Sequence, residues 1–263
     1  MELIVNGNST FAATGGKAFD PALPTVIFIH GASFDRTVWN LQTRYFAYHG
    51  FGVLAVDLPG HGRSKGAPLN AIDDFVGWLF AMMDAVGVTS AHVVGHSLGA
   101  LIALAAAAET PERVNGISLV GMAFPMPVGD PLLAPAETND DVVTDRLVSW
   151  SFGQAAAQGG NTVPGLWMTG IGTRVVERTD DGVLFADLTA CNNYNDGDAA
   201  AAVVECPVQF ILGSKDMMTP LRSAKAFAGK FDNPDVEIIP GAGHNLMIEY
   251  PDQTLDALKR FIG

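Results

Sequence analysis

Ser97 has glycine two residues before it and two residues after, in Gly95-His96-Ser97-Leu98-Gly99. The mostly apolar run Ala91-His92-Val93-Val94 comes before, and the small-residue run from Ala100 to Ala108 comes after, so Ser97 is expected where a strand turns abruptly into a helix. A turn that tight drives the serine towards positive φ and brings its flanks into near contact, which Gly95 and Gly99 tolerate. The hydroxyl is lifted clear of the sheet, and the first N–H groups of the helix point at whatever it attacks.

Ser97 is a poor nucleophile while it holds its proton, so the chemistry needs a base and a group to orient that base. Asp216 follows the apolar run Ile211-Leu212-Gly213, and His244 follows Val236 to Ile239 through Pro240-Gly241-Ala242-Gly243. Each therefore lies just past a predicted strand, on the edge of a parallel sheet where ligands bind. His244 can take the Ser97 proton and return it, while Asp216 fixes the imidazole tautomer and stabilises the imidazolium. Two backbone donors are expected to hold the oxyanion. They are the N–H of Leu98, directly after the nucleophile, and that of Ala32, after the first buried strand, with Ser33 in reserve.

The elements that position these groups alternate. A hairpin is expected around Asn6-Gly7-Asn8, from Glu2 to Val5 and Ser9 to Ala12. Thr25 to Ile29 and Gly52 to Leu58 read as strands buried on both faces, and Val114 to Val120 follows the elbow helix. Helices are expected at about 37–49 and 71–86. The resulting order of strand, helix, strand, helix, strand, helix, strand predicts an α/β fold with a mostly parallel, doubly wound sheet. The order breaks between about Gly121 and Glu205, where Pro-, Asp- and Gly-rich stretches surround helices expected near 140–151 and 185–194. It resumes with strand Val208 to Leu212, a helix near 221–231, strand Val236 to Ile239 and a last helix at 252–262. Residues 1–121 and 206–263 thus read as a core domain, and 122–205 as a helical cap inserted into it.

Taken together, Phe28-Ile-His-Gly-Ala-Ser33, Asp57-Leu-Pro-Gly-His-Gly-Arg-Ser64, Gly95-His-Ser-Leu-Gly-Ala100, Leu212-Gly-Ser-Lys-Asp-Met-Met-Thr-Pro220 and Gly241-Ala-Gly-His-Asn-Leu-Met-Ile-Glu-Tyr-Pro251 resemble the α/β-hydrolase-fold serine hydrolases. The resemblance is to the capped branch of esterases, lactonases and C–C bond hydrolases, and it spans nearly the whole chain. It implies a Ser97-Asp216-His244 triad, a turn-stabilising role for Gly60, His61, Gly62 and Ser64, and no cofactor. Serine at the elbow separates this chain from the haloalkane and epoxide hydrolases of the same fold, which have aspartate there. Relatives that cleave C–C bonds commonly carry Gly-x-Gly-Pro-Gly in the oxyanion loop, where this chain has Gly31-Ala32-Ser33-Phe34. Hydrolysis of a small, largely apolar carboxylic ester through an acyl-enzyme on Ser97 therefore leads. C–C hydrolysis of meta-cleavage-type diketones or lactone hydrolysis is the alternative, and a ligand-binding, receptor-like protein with little turnover is the alternative of another class.

Other residues carry weaker signals. Asp57 ends a strand and is the second-choice acid, although Pro59-Gly60 after it points to a turn; His61 as a base ranks lower still. His30 is expected to fix the oxyanion loop. His92 and His96 are about 13 Å apart on a strand rising about 3.3 Å per residue, too far to share a metal. That spacing leaves no metal expected, and with no GxxxxGK[ST] phosphate cradle and no GxGxxG after a strand, no nucleotide is expected either. Methionines and aromatic residues gather near the motifs and in the insertion; of these Phe124, Trp167, Met217 and Leu246, together with Ser33, are the expected substrate pocket.

The 263 residues are 48% hydrophobic and 16% charged, which fits a compact core. A net charge of −13 repels phosphate backbones and anionic lipid, so the expected partner is a small ester, with neither nucleic acid nor membrane. Without the pattern of a signal peptide or a long apolar span, the expectation is a cytoplasmic protein, monomeric or homodimeric, with Cys191 and Cys206 as free thiols.

Overall fold

The structure is a computed structural model that describes residues 1–160 and 165–263. The strands are β1 (Glu2–Val5), β2 (Asn8–Ala13), β3 (Thr25–Ile29), β4 (Gly52–Val56), β5 (Ala91–His96), β6 (Val114–Val120), β7 (Val208–Gly213) and β8 (Asp235–Ile239). Among the described residues they form one sheet in the order β1-β2-β4-β3-β5-β6-β7-β8. Pairing is antiparallel at β1/β2 and β2/β4 and parallel from β4 to β8.

The continuous apolar runs are buried on both faces because each strand feeds two cores. Ile27 and Ile29 of β3 and Leu54 and Val56 of β4 face one apolar cluster; Val26, Phe28, Val53 and Ala55 face the other. The period of two is thus present, although hydropathy hides it. On the first face lie α2 (Ile72–Ala85) and α3 (Leu98–Glu109), with Phe75, Leu79, Met82 and Leu101 inward. On the second lie α1 (Asn40–Tyr48) and α12 (Pro251–Ile262), with Phe46 and Leu258 inward. Complete burial of one such side chain contributes roughly 1.5–3 kcal/mol.

The chain between β6 and β7 carries α4 (Asp130–Glu137), α5 (Val142–Ser151), α6 (Gln154–Ala157), α7 (Met168–Val176), α8 (Val183–Asn193) and α9 (Gly197–Val203). Leu132, Leu147, Phe152, Met168 and Leu188 form a third apolar cluster there. Met122 and Ala123 at the start of this stretch, and Ala200 and Ala201 of α9, instead join the core beside α3. Two short helices complete the fold before the C-terminal one, α10 (Leu221–Ala228) and α11 (Leu246–Glu249).

Helices α4, α6, α7 and α9 lie where no helix is expected from the sequence. In α4, Pro131 occupies the first turn, where no N–H is needed, and Pro135 sits inside. Pro135 cannot bond to the carbonyl of Pro131, and Arg146 Nη1 takes that carbonyl at 2.7 Å instead. Among the described residues no helix is long and apolar enough to cross a membrane.

Candidate active site

β5 runs directly into Ser97, whose backbone is at φ +53°, ψ −114°, and α3 starts at the next residue. A Cβ on Gly95 would meet the carbonyl oxygen of Gly99, and one on Gly99 would lie 2.5 Å from the carbonyl oxygen of Ile29. Only hydrogen fits at either place. The Ser97 N–H is donated to the Val120 carbonyl at 3.0 Å, which ties the elbow to β6.

Asp216 and His244 meet across the ends of β7 and β8. His244 Nδ1 is 2.8 Å from Asp216 Oδ2, with both side chains buried. The same oxygen accepts the Thr219 hydroxyl at 2.6 Å, and Asp216 Oδ1 accepts the N–H groups of Met218 and Thr219 at 2.8 Å each. Burial opposes the charge, yet His244 and the Thr219 bonds outweigh it and hold the carboxyl below its ordinary value.

The His244 loop is fastened from outside the sheet. The N–H groups of His244 and Asn245 both reach the carbonyl of Ser151, at 2.8 and 3.2 Å. Buried Glu249 accepts from Gly153, Gly243 and Asn245 at 2.8, 3.2 and 3.2 Å. Nε2 of His96 donates to the His244 carbonyl at 2.9 Å, and the two rings lie 4.7 Å apart. Complete burial, with His244 beside it, depresses the His96 pKa well below its ordinary value, so His96 stays neutral.

Ser97, His96, His244 and Thr219 line a cavity of about 180 Å³. Apart from Ser151, its other walls are apolar: Ala32 and Phe34 from the loop after β3, Met126 to Gly129 before α4, Leu132, Leu147, Trp150, Leu188 and Cys191 from the insertion, and Met217 and Met218 beside Asp216. No Lys, Arg, Asp or Glu lines it among the described residues. The N–H groups of Ala32 and Leu98 make no hydrogen bond with any described residue, whereas that of Phe34 is spent on the Gly31 carbonyl at 3.2 Å.

Several expectations need correction. Ser33 is no reserve donor and no pocket residue, because it is buried and its N–H is 2.8 Å from Asp187 Oδ2. Phe124 packs on Tyr194 and Phe227 in the core. Leu246 is wholly buried in the cluster with Trp39 and Phe46. Trp167 is 73% exposed and borders a separate surface depression with Ile171 and Arg174. Met217, 66% exposed, does line the cavity.

Asp57 is no alternative acid. Its carboxylate accepts the Arg36 N–H at 2.9 Å, the Arg36 guanidinium at 2.5 Å and the Arg63 N–H at 2.9 Å. Ser64 closes the same turn by donating to the Asp57 carbonyl at 2.7 Å. His61 is no base for Ser97 either, since both ring nitrogens are taken, Nε2 by Asp187 at 2.9 Å and Nδ1 by the Pro59 carbonyl at 3.0 Å, and the ring does not line the cavity. His30 bridges the Gly31 carbonyl and the Leu58 N–H at 2.8 and 3.1 Å; burial and the nearby His61 push it down to about 3. His92 bonds to Ser118 at 3.0 Å, with no shared partner with His96. Asp187 carries no sequence signal; Thr219 and Glu249 lie within the Leu212–Pro220 and Gly241–Pro251 motifs, but nothing in those stretches marks Thr219 as a donor to the Asp216 carboxylate or Glu249 as the acceptor of three backbone N–H groups.

The sequence model described as the alpha/beta hydrolase family matches residues 26–257. The chain belongs to the alpha/beta hydrolase family. An uncharacterized carboxylesterase of Bacillus subtilis is 27% identical over 90% of this chain and 79% of its own length. The 2-succinyl-6-hydroxy-2,4-cyclohexadiene-1-carboxylate synthase of Escherichia coli is 29% identical over 92% and 95%. A dihydrolipoyllysine-residue acetyltransferase component of an acetoin cleaving system from Cupriavidus necator is 38% identical, but over only 46% of this chain and 30% of that protein. The enol-lactonase of Burkholderia xenovorans superposes with a TM-score of 0.88 over 100% of this chain and 99% of its own, at 20% identity, a likeness of fold.

Proposed function

We propose that the chain is a serine hydrolase of small, uncharged, largely apolar carboxylic esters. The observation that carries this reading is the Asp216–His244 pair, buried and hydrogen-bonded, opening into one apolar cavity with a Ser97 held at positive φ. Ser97 attacks the ester carbonyl and His244 accepts its proton. Asp216 holds Nδ1–H so that Nε2 is the basic nitrogen. The N–H groups of Ala32 and Leu98 receive the oxyanion. His244 then protonates the leaving alcohol, and water activated by the same imidazole hydrolyses the acyl-enzyme.

The walls select the substrate. About 180 Å³ is below the roughly 300–1,000 Å³ of most ligand pockets, which favours short acyl chains. A wall without Lys or Arg among the described residues suits neither a succinyl group nor a ring carboxylate, so the chemistry named for the Escherichia coli relative fits less well than that named for the Bacillus subtilis one.

Hydrolysis of p-nitrophenyl acetate, butyrate and octanoate by the wild type and by Ser97→Ala, followed over many turnovers, tests this. The expected result is catalytic release from acetate and butyrate, about tenfold or more slower release from octanoate, and a fall of about 10³-fold or more in Ser97→Ala. A single equivalent of product per protein would instead mark a receptor-like binder, and unchanged activity in Ser97→Ala would remove Ser97 from the mechanism.

A further inference from the structure

His61 and Asp187 form a buried pair that the ester mechanism does not use. His61 Nε2 is 2.9 Å from Asp187 Oδ2, and His61 Nδ1 is 3.0 Å from the carbonyl of Pro59. An imidazole with an oxygen acceptor at each nitrogen is satisfied as the imidazolium. Burial opposes that charge, and the Asp187 carboxylate together with the Pro59 carbonyl and Asp57 outweighs it, so the ring titrates above its ordinary value. Both side chains are fully buried, and Asp187 Oδ1 has no partner among the described residues.

The same Asp187 oxygen accepts the N–H of Ser33 at 2.8 Å. Ser33 sits at φ +59°, a conformation that a serine holds only when its surroundings impose it. The insertion grips this loop twice more. The Thr179 hydroxyl donates to the Ser33 carbonyl at 3.0 Å and lies 3.2 Å from the Ser33 hydroxyl, and Arg178 meets Asp35 at 2.9 Å. One residue before Ser33, the Ala32 N–H is left unbonded at the cavity wall. Asp187 belongs to α8, which also gives Leu188 and Cys191 to that wall.

A buried ion pair with an orphaned oxygen is a poor way to add stability, since apolar packing would serve as well. What it does supply is geometry. We propose that Asp187 is a positioning residue for the oxyanion loop: by holding Ser33 N–H and His61 on one oxygen, it leaves Ala32 N–H as the free donor and makes the hole complete only when α8 is seated on the core. Seating the insertion and assembling the oxyanion site are then one event. This rests on the reading of Ser97 as the nucleophile.

The test compares wild type, Asp187→Asn and Asp187→Ala, with thermal unfolding measured alongside. Its readouts are kcat and KM on p-nitrophenyl butyrate and the rate at which a small alkyl fluorophosphonate labels Ser97, since the phosphonyl oxygen must enter the same hole. Asp187→Ala is expected to lower kcat and the labelling rate together by about ten- to a hundredfold, with KM within about twofold. Asp187→Asn, which keeps one acceptor oxygen, should recover part of the loss. Unchanged kcat and labelling in a folded Asp187→Ala would overturn the proposal, as would a rise in KM alone. If Asp187→Ala fails to fold, Asp187→Asn decides: a fall of about threefold or more in both rates at constant KM supports the proposal, and no fall overturns it. A wild type that is labelled at Ser97 but turns over no ester refutes the ester reading while the Asp187 comparison still stands on labelling; no labelling at all refutes both.

Discussion

His96 and His244 lie 4.7 Å apart, and a proton on both would set two like charges side by side. The fold removes the conflict by burying His96 completely and giving its Nε2 a carbonyl to donate to, so the imidazolium of the proposed mechanism forms on His244 alone. Asp216 is tuned in the opposite sense. Its folded-state pKa is depressed, so its contribution to stability is present in full above the unfolded carboxyl's value of about 3.9 and is lost as pH falls through the lower folded value. Urea unfolding of wild type and Asp216→Asn between neutral pH and about pH 3 should show that slope in the wild type and a flatter one in the variant. At neutral pH the variant should retain its fold and lose about 10³–10⁴-fold in kcat, because asparagine can leave the ring in the wrong tautomer. The placement of Ser97, Asp216 and His244 just past the ends of β5, β7 and β8 was legible from the sequence because each follows an apolar run. Asp187 was not: its partner Ser33 is 154 positions away, and the bond is to a backbone N–H that any residue could supply.

Among the elements, the turn from β5 to α3 is the least forgiving. Its tightness puts the Gly99 carbonyl where a side chain on Gly95 would begin, and Gly99 itself lies against β3. Gly95→Ala is expected to lower the melting temperature sharply or leave the protein insoluble. Gly77→Ala, in α2 with open space around the added methyl, should be neutral or stabilising by roughly 0.5–1 kcal/mol. Parallel thermal melts of the two variants check this, and equal melting temperatures would show that the elbow can relax. The strands were readable because apolar runs bounded by Gly and Pro have few other uses. Helix α7 was not, because glycines mid-helix argue against one. Both are there for packing: a methyl on Gly170 would strike the Trp167 ring, and one on Gly172 would lie 2.7 Å from the Phe152 ring. Sequence proximity also misled at Phe124 and Leu246, which adjoin motifs yet point into the core.

Across the whole molecule, the His61–Asp187 pair joins the insertion to the loop after β4, and it does so with a titratable bond. Asp187 and Asp57 favour the charged ring, while burial opposes it, and the His61 pKa ends above its unfolded value of about 6.5. The pair's contribution is therefore fully present below that unfolded value and is lost as pH rises through the raised one. Melting temperatures taken from pH 6 upward should fall through this window in the wild type, and His61→Gln should flatten the fall; a parallel fall in the variant would assign it to other groups.

The insertion is also stitched to the His244 loop, through Ser151 to His244 and Gly153 to Glu249. A graft that exchanged everything between β6 and β7 would cut these stitches and slacken the histidine it was meant to leave alone. Remodelling for bulkier esters belongs instead at Met126 to Leu132, where the cavity wall can be recut without touching the histidine's moorings.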